Sequence, residues 1–322
     1  MCRGEACSAP THLQFFMKKN TFIIVLLSII LLIVGTYLIG TGFSLRARPE
    51  LDLGKFDGER AYADVHHQCN FGARTPNSIA HARTRTWMQH ELESAGWDVE
   101  VQVFDSHGHR GYNLIASRDE ALPDIILGAH YDSRIYADHD PDVDKRTQAL
   151  LGANDGASGV AILLELARTL PTGTPVNPSP STWLVFFDLE DNGNIPTWDW
   201  ILGSRAFVEE YDMLDPEAVV VLDMIGDADL NIYLEKNSDI EIRTEIWAQA
   251  EALGYQDIFI PEEKFNMLDD HTPFLEAGMP AVDLIDFDYP YWHTTEDTPD
   301  KVSAESLQAV GDTILAWLES KR

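Results

Sequence analysis

The chain is poor in cysteine. Its 322 residues carry three, Cys2, Cys7 and Cys69, and only Cys69 falls in the part that reads as folded. That excludes an internal disulfide framework, and no cysteine pair has the spacing of a zinc–thiolate site. Any metal here must be held by histidine and carboxylate. Basic residues are also scarce, 23 Lys and Arg against 53 Asp and Glu, for a formal charge of -30. Contact with nucleic acid through its phosphates needs clustered Lys and Arg, so nucleic acid is not an expected partner. No internal repeat is visible. What the chain does have is 45% hydrophobic residues, enough for a sizeable core.

One apolar run stands apart. Residues 20–45 carry no charge, and a spanning helix needs about 20 apolar residues. Lys18 and Lys19 precede the run, so the positive-inside rule makes residues 1–19 a cytoplasmic tail, although Arg46 and Arg48 flank the other end. A cleaved signal peptide is the competing reading. Its apolar stretch should be about 7–15 residues and end in an Ala-x-Ala-like site, and neither holds here. The run therefore reads as a single N-terminal transmembrane anchor at 20–45, with the remainder outside the cytoplasm. Met17, just ahead of the two lysines, is a natural start. Residues 46–56 read as a linker and 57–322 as one domain.

Within that domain strands and helices alternate. Ile79 to Ala95 fits a helix with Met88, Leu92 and Ala95 on one face and Gly96 as its stop. Trp97–Phe104 alternates like an exposed strand. Asp124–Ala129, Thr182–Phe187, Ala218–Leu222 and, more weakly, Ala281–Ile285 are short apolar runs of the buried-strand kind. Val160, Leu163, Leu164, Ala167 and Leu170 recur at helical spacing, and Leu307, Val310, Ile314, Trp317 and Leu318 mark a final amphipathic helix. The expected fold class is α/β, a three-layer α/β/α arrangement around a mostly parallel mixed sheet.

The acids and histidines fall at particular places in this pattern. His130 and Asp132 follow the run at 124–129, Asp188, Glu190 and Asp191 the one at 182–187, Asp223 the one at 218–222, and His293 comes after the one at 281–285. Asp155 sits in a Gly-flanked loop, GANDGASG, before a helix. Ligands bind open α/β sheets at the carboxyl ends of the strands, and His with Asp is a donor set that zinc accepts. Glu190, beside the ligand candidate Asp191, is placed to move protons near a metal-bound group. Any one Asp after a strand is more often a turn or cap residue; the convergence of five such groups is what points to a metal. His66, His67, His81, His90, His107, His109 and His139 have no such placement.

The segments GAHYDS, GANDGASGVAILLELA, FFDLED, GSRAF, LDMIGD, DDHTPF and WHTTEDT resemble, in that order, the zinc aminopeptidases and their relatives, over nearly all of the chain from about Phe56 onward. Within that superfamily the glutaminyl cyclases, which bind one zinc and turn N-terminal glutamine into pyroglutamate, are the more similar branch. The insert NGNIPTWDWIL between Asp191 and Gly203, DDHTPF, ADHDPD, and Trp292 directly before His293 resemble cyclase features. The acid pair Glu190-Asp191 departs from the Glu-Glu common in both branches, as bacterial cyclases do.

The resemblance implies zinc on Asp155, Asp191 and His293. It implies Glu190 as proton carrier, Asp223 and Asp269 as its helpers, and Trp198 or Trp200 with Trp292 as pocket walls. The substrate would be the N-terminus of a peptide or protein. The aminopeptidase branch implies instead two zinc ions and hydrolysis, with His130 and Asp223 as second-metal ligands and Asp155 bridging. A catalytically dead, receptor-like domain is a third expectation, which the complete acid pair and ligand set oppose.

Overall fold

The computed structural model describes residues 55–170 and 180–321. The apolar run at 20–45 lies outside them. Among the described residues no helix is long and apolar enough to cross a membrane.

Helix α1 (Gly58–Asn70) is capped by the Asp57 side chain, which accepts from Arg60 N. Helix α2 (Ile79–Ser94) is capped in the same way by Ser78, accepting from His81 N. Gly96, at φ 83°, turns the chain out of α2 in the left-handed conformation glycine adopts freely. A hairpin follows, β1 (Asp98–Ser106) and β2 (His109–Ser117), then β3 (Ile125–His130), α3 (Ala157–Thr169) and β4 (Thr182–Phe187). The chain continues through α4 (Leu202–Glu210), β5 (Ala218–Asp223), β6 (Ile232–Leu234), α5 (Ile240–Leu253), β7 (Phe259–Glu263), α6 (Thr272–Glu276), β8 (Ala281–Ile285) and α7 (Ala304–Ser320).

Six strands form the main sheet in the order β1-β2-β4-β3-β5-β8. The β1–β2 and β2–β4 pairs are antiparallel, and β4, β3, β5 and β8 run parallel. Strand alternation sorts their residues into two cores. Ile125, Leu127, Ala129, Val220, Leu222 and Leu284 pack under α1, α2, α3, α5 and α7. Ile126, Val185, Phe187 and Val219 face the other way, against Phe207 of α4 and Phe274 of α6. The three-layer mixed sheet is thus as expected.

Local boundaries shift where packing overrides pattern. His130 and Asp223 are the last residues of β3 and β5, not residues beyond them, because the backbone pairing runs one residue further than the apolar run. Phe56 was placed in the linker, yet it is buried and its ring lies where a Cβ on Gly311 of α7 would sit, so it belongs to the core. Trp97 precedes β1, and its indole N–H reaches Ala167 O at 3.0 Å.

Helix α3 carries the loop with Asp155 and must lie close on the sheet. A Cβ on Gly159 would stand 2.2 Å from Leu222 O and 2.9 Å from Ala129 Cβ. Gly159→Ala should therefore destabilise the domain by about 1–3 kcal/mol, read as a lowered urea midpoint with unchanged slope.

Candidate metal centre

The parallel strands end together, and their last residues and following loops form one rim. His130 closes β3, Asp223 closes β5, Glu190 and Asp191 follow β4, and Asp155 stands just before α3. His293 arrives on the loop between β8 and α7. All six are buried. Three of the connections are strained: Leu189 (φ 59°), Met224 (φ 46°) and His293 (φ 56°) all occupy the left-handed region, a conformation that costs non-glycine residues energy and gathers at functional sites.

Two triads emerge. Asp155, Asp191 and His293 present donor atoms within 4.8 Å of one another, and so do His130, Asp155 and Asp223. Asp155 belongs to both. In the first, His293 Nε2 lies 2.9 Å from Asp191 Oδ1 and 3.7 Å from Asp155 Oδ2. In the second, His130 Nε2 lies 3.1 Å from Asp155 Oδ1 and 3.2 Å from Asp223 Oδ1. The first triad also has an electrostatic deficit: Asp155 Oδ2 and Asp191 Oδ2 are buried without a hydrogen-bond donor. A buried carboxylate oxygen left without a partner is costly. A cation between the two would satisfy both, so these residues fit a metal of the zinc type.

The surroundings hold the ligands from behind. Asp297 accepts from Asn154 N at 2.8 Å and Asp155 N at 3.2 Å, and Tyr289 donates to it at 2.7 Å. Asp132 accepts from Glu190 N at 3.0 Å and lies 3.5 Å from His130 Nδ1. Asp188 is not part of the centre. It pins the end of β4 by accepting from Tyr112 N and pairs with His81 at 2.7 Å. Neither Asp297 nor the role of Asp132 was foreseen from sequence, although both stand within two residues of an expected ligand or inside a quoted motif.

Burial pushes the Glu190 carboxyl well above its usual value, and the charges of Asp191, Asp269 and Asp270 add to this against the opposing pull of His130. Burial, with Asp155 alongside, raises Asp191 to about 6. Burial and Asp223 raise Asp269 to about 7, and burial and Asp269 raise Asp270 to about 8. His130 moves the other way: burial lowers it, but Asp223, Asp132 and Asp155 outweigh that and hold the imidazolium well above its usual range.

A cavity of about 150 Å³ opens beside the first triad. Asp155, Glu190, Asp191, Asp223 and Asp269 line its polar side, and Trp200, Trp292, Met267, Leu268 and Phe287 are among its apolar walls. Trp292 stacks on His293 with ring centroids 3.8 Å apart. Of the two tryptophans in the insert, Trp200 reaches the cavity and Trp198 does not. Trp198 stacks on His109 at 3.5 Å and packs by Phe104 and Leu202, away from the ligands. Two residues apart on a tight loop, the two indoles are sent in different directions, and Trp200 is drawn inward because its ring covers Gly193, where a Cβ would clash at 2.1 Å.

A mostly parallel sheet with a His and carboxylate cluster at its carboxyl rim defines a metallopeptidase-like α/β enzyme, and the chain belongs to peptidase family M28, whose model matches residues 113–318. A glutaminyl-peptide cyclotransferase of Bothrops jararaca is 28% identical over 277 residues, 73% of each chain. Among solved structures, Porphyromonas gingivalis glutaminyl cyclase superposes with a TM-score of 0.78 at 31% identity, covering 84% of this chain and all of that one (100%). A leucine aminopeptidase precursor from Bacteroides thetaiotaomicron does so at 0.78 and 30%, covering 84% and 99%.

The acid shifts carry a sign. Carboxyls raised from 3.8 in the unfolded chain to about 6, 7 and 8 bind protons in the fold, so their contribution favours folding below pH 4 and is lost as pH rises through about 6 to 8. A cation reverses that loss, and it must also displace the proton from His130 if it occupies the second triad. The rise in thermal midpoint on adding zinc should therefore be larger at pH 8 than at pH 5.5. Differential scanning at the two pH values checks it, and an equal shift would contradict this charge balance.

Proposed function

We propose that the chain is a zinc-dependent glutaminyl cyclase, converting the N-terminal glutamine of peptides to pyroglutamate with release of ammonia. The observation that carries this reading is the pairing of two donor-free carboxylate oxygens and His293 with Glu190 at the base of a small, indole-walled cavity. At about 150 Å³ it suits one side chain with its own α-amine better than a stretch of peptide. The relatives named glutaminyl cyclase support the same reading, and the leucine aminopeptidase precursor is the exception among those compared.

Asp155, Asp191 and His293 would hold one zinc ion. When bound, zinc polarises the γ-carbonyl of the substrate glutamine and stabilises negative charge on its oxygen. The α-amine nitrogen attacks the side-chain amide carbon (Cδ), closing the five-membered ring, and the bond from that carbon to the amide nitrogen breaks. Glu190 takes the proton from the amine and delivers it to the departing nitrogen, which leaves as ammonia. A carboxyl whose pKa lies well above the usual range is suited to both halves of that transfer. Asp223 and Asp269 border the same cavity and would orient the amine. Trp200 and Trp292 exclude water, which would otherwise hydrolyse the amide.

The second triad, sharing Asp155, supports an alternative of two zinc ions and aminopeptidase hydrolysis. We further propose that residues 20–45 anchor the chain with its enzymatic domain outside the cytoplasm, on the strength of that uncharged run alone.

A glutamine-initiated peptide should yield equal amounts of ammonia and cyclised peptide, with one zinc per active chain. Release of free glutamine, or two zinc ions per chain, would favour the hydrolase. Glu190→Gln should lower kcat by about 10²–10⁴ while zinc content stays at the wild-type level. Trp200→Ala should raise KM by about tenfold, a loss of about 1.4 kcal/mol, and Trp198→Ala should leave KM near wild type. Alkaline extraction of membranes should retain the full chain in the pellet and release a chain lacking residues 1–45.

A further inference from the structure

His293 occupies a left-handed backbone conformation, φ 56°, that an unsupported histidine would leave. Part of its support comes from the neighbouring segment 134–140, between β3 and α3. His139 N donates to His293 O at 3.1 Å. Two residues further along, Thr295 donates to Asp140 Oδ2 from its backbone N at 2.9 Å and from its hydroxyl at 2.6 Å. The imidazole, stacked on Trp292, has polar contacts through one nitrogen only. Its Nε2 faces Asp191 and Asp155, while its Nδ1 is buried with no hydrogen-bond partner. The polar group facing that nitrogen is Asp138 Oδ1, 3.7 Å away.

Asp138 is not a spare ligand. Arg134 fixes it, donating from Nε to Oδ1 at 2.8 Å and from one terminal nitrogen to Oδ2 at 2.7 Å. The same guanidinium, in a buried side chain, has further duties. It donates to the carbonyl of Asp191 at 2.9 Å and to that of Gly193 at 3.1 Å, and its carbon lies 5.1 Å from the centre of the Trp200 ring. One planar cation thus touches the backbone of one metal ligand, the carboxylate behind a second, and the aromatic wall of the cavity. A lysine offers a point charge and could not span these partners in one plane.

We infer that Arg134 and Asp138 are positioning residues that set the affinity of the Asp155–Asp191–His293 site: Asp138 accepts a hydrogen bond from Nδ1–H of His293 when Nε2 binds metal, and Arg134 locks Asp138, Asp191 and Trp200 in one register. The inference rests on the metal reading of that triad but not on which reaction the enzyme runs. A histidine that ligates through one nitrogen commonly donates from the other to a carboxylate, which fixes the tautomer and raises the basicity of the ligand. At 3.7 Å the pair stands outside hydrogen-bond range, so the two side chains must approach by about 0.5 Å when metal binds.

Zinc affinity of the folded proteins, measured by competition with a chelator at a temperature where circular dichroism shows each variant native, is the test. Asp138→Ala should bind zinc about 10- to 100-fold more weakly than wild type. Asp138→Asn, which keeps an acceptor for Nδ1 but not the charge, should fall between. Arg134→Lys should weaken zinc and also raise KM, since it loosens Trp200. If Asp138→Ala fails to fold, the Asn and Lys variants carry the test. Wild-type zinc affinity in the folded variants, even with lowered thermal midpoints, would overturn the inference and leave the pair a stabilising contact only. A wild-type chain that takes up no zinc would overturn the metal reading itself.

Discussion

The fold is organised around a concentration of negative charge that it cannot neutralise by itself. Asp155, Glu190, Asp191, Asp223, Asp269, Asp270 and Asp283 are all buried near one rim of the sheet. Two histidines there, His130 and His293, contact the carboxylates, and a third, His271, lies 3.8 Å from Asp283 and 3.5 Å from Glu235. Buried like charges must be protonated, paired or bound to metal. Raised carboxyl pKa values are the protonated answer and a cation between Asp155 and Asp191 is the other. Burial, with the same crowding adding to it, also holds the Glu190 carboxyl well above its usual value.

Sheet geometry supplies the crowding. Parallel strands bring their carboxyl ends to one edge, so residues far apart in sequence share a few ångströms. Asp191 and His293 meet at 2.9 Å and His130 and Asp223 at 3.2 Å. The strained backbone at Leu189, Met224 and His293 is the local cost of turning those side chains inward. Interactions behind them, Asp297 on the Asp155 amide, Asp132 on the Glu190 amide and the 134–140 segment on His293, hold the strain in place.

The insert after the acid pair makes the difference between an open rim and a pocket. Ile201 N bonds back to Glu190 O and Leu202 N to Leu189 O, closing residues 191–200 into a loop over the centre. Trp200 comes down on Gly193 and Trp292 stacks on His293, so the aromatic walls are built onto the ligand-bearing segments themselves. Changes in the walls and changes at the metal are mechanically linked through that loop.

Periodicity and composition by themselves determined the α/β class, the buried parallel strands to within a residue, and the polar residues at their ends, because strand alternation and apolar runs are local properties that packing seldom reverses. The choice of histidine and carboxylate for any metal followed from the want of cysteine pairs. The family resemblance already grouped Asp155, Asp191 and His293 and had Asp155 bridging to His130 and Asp223; only tertiary structure decided that Trp200 and not Trp198 lines the cavity and that Arg134 touches the Asp191 segment and Asp138 together. Those facts depend on loop paths and on contacts between residues far apart in sequence, as Arg134 and Asp191 are. No local pattern encodes such distances.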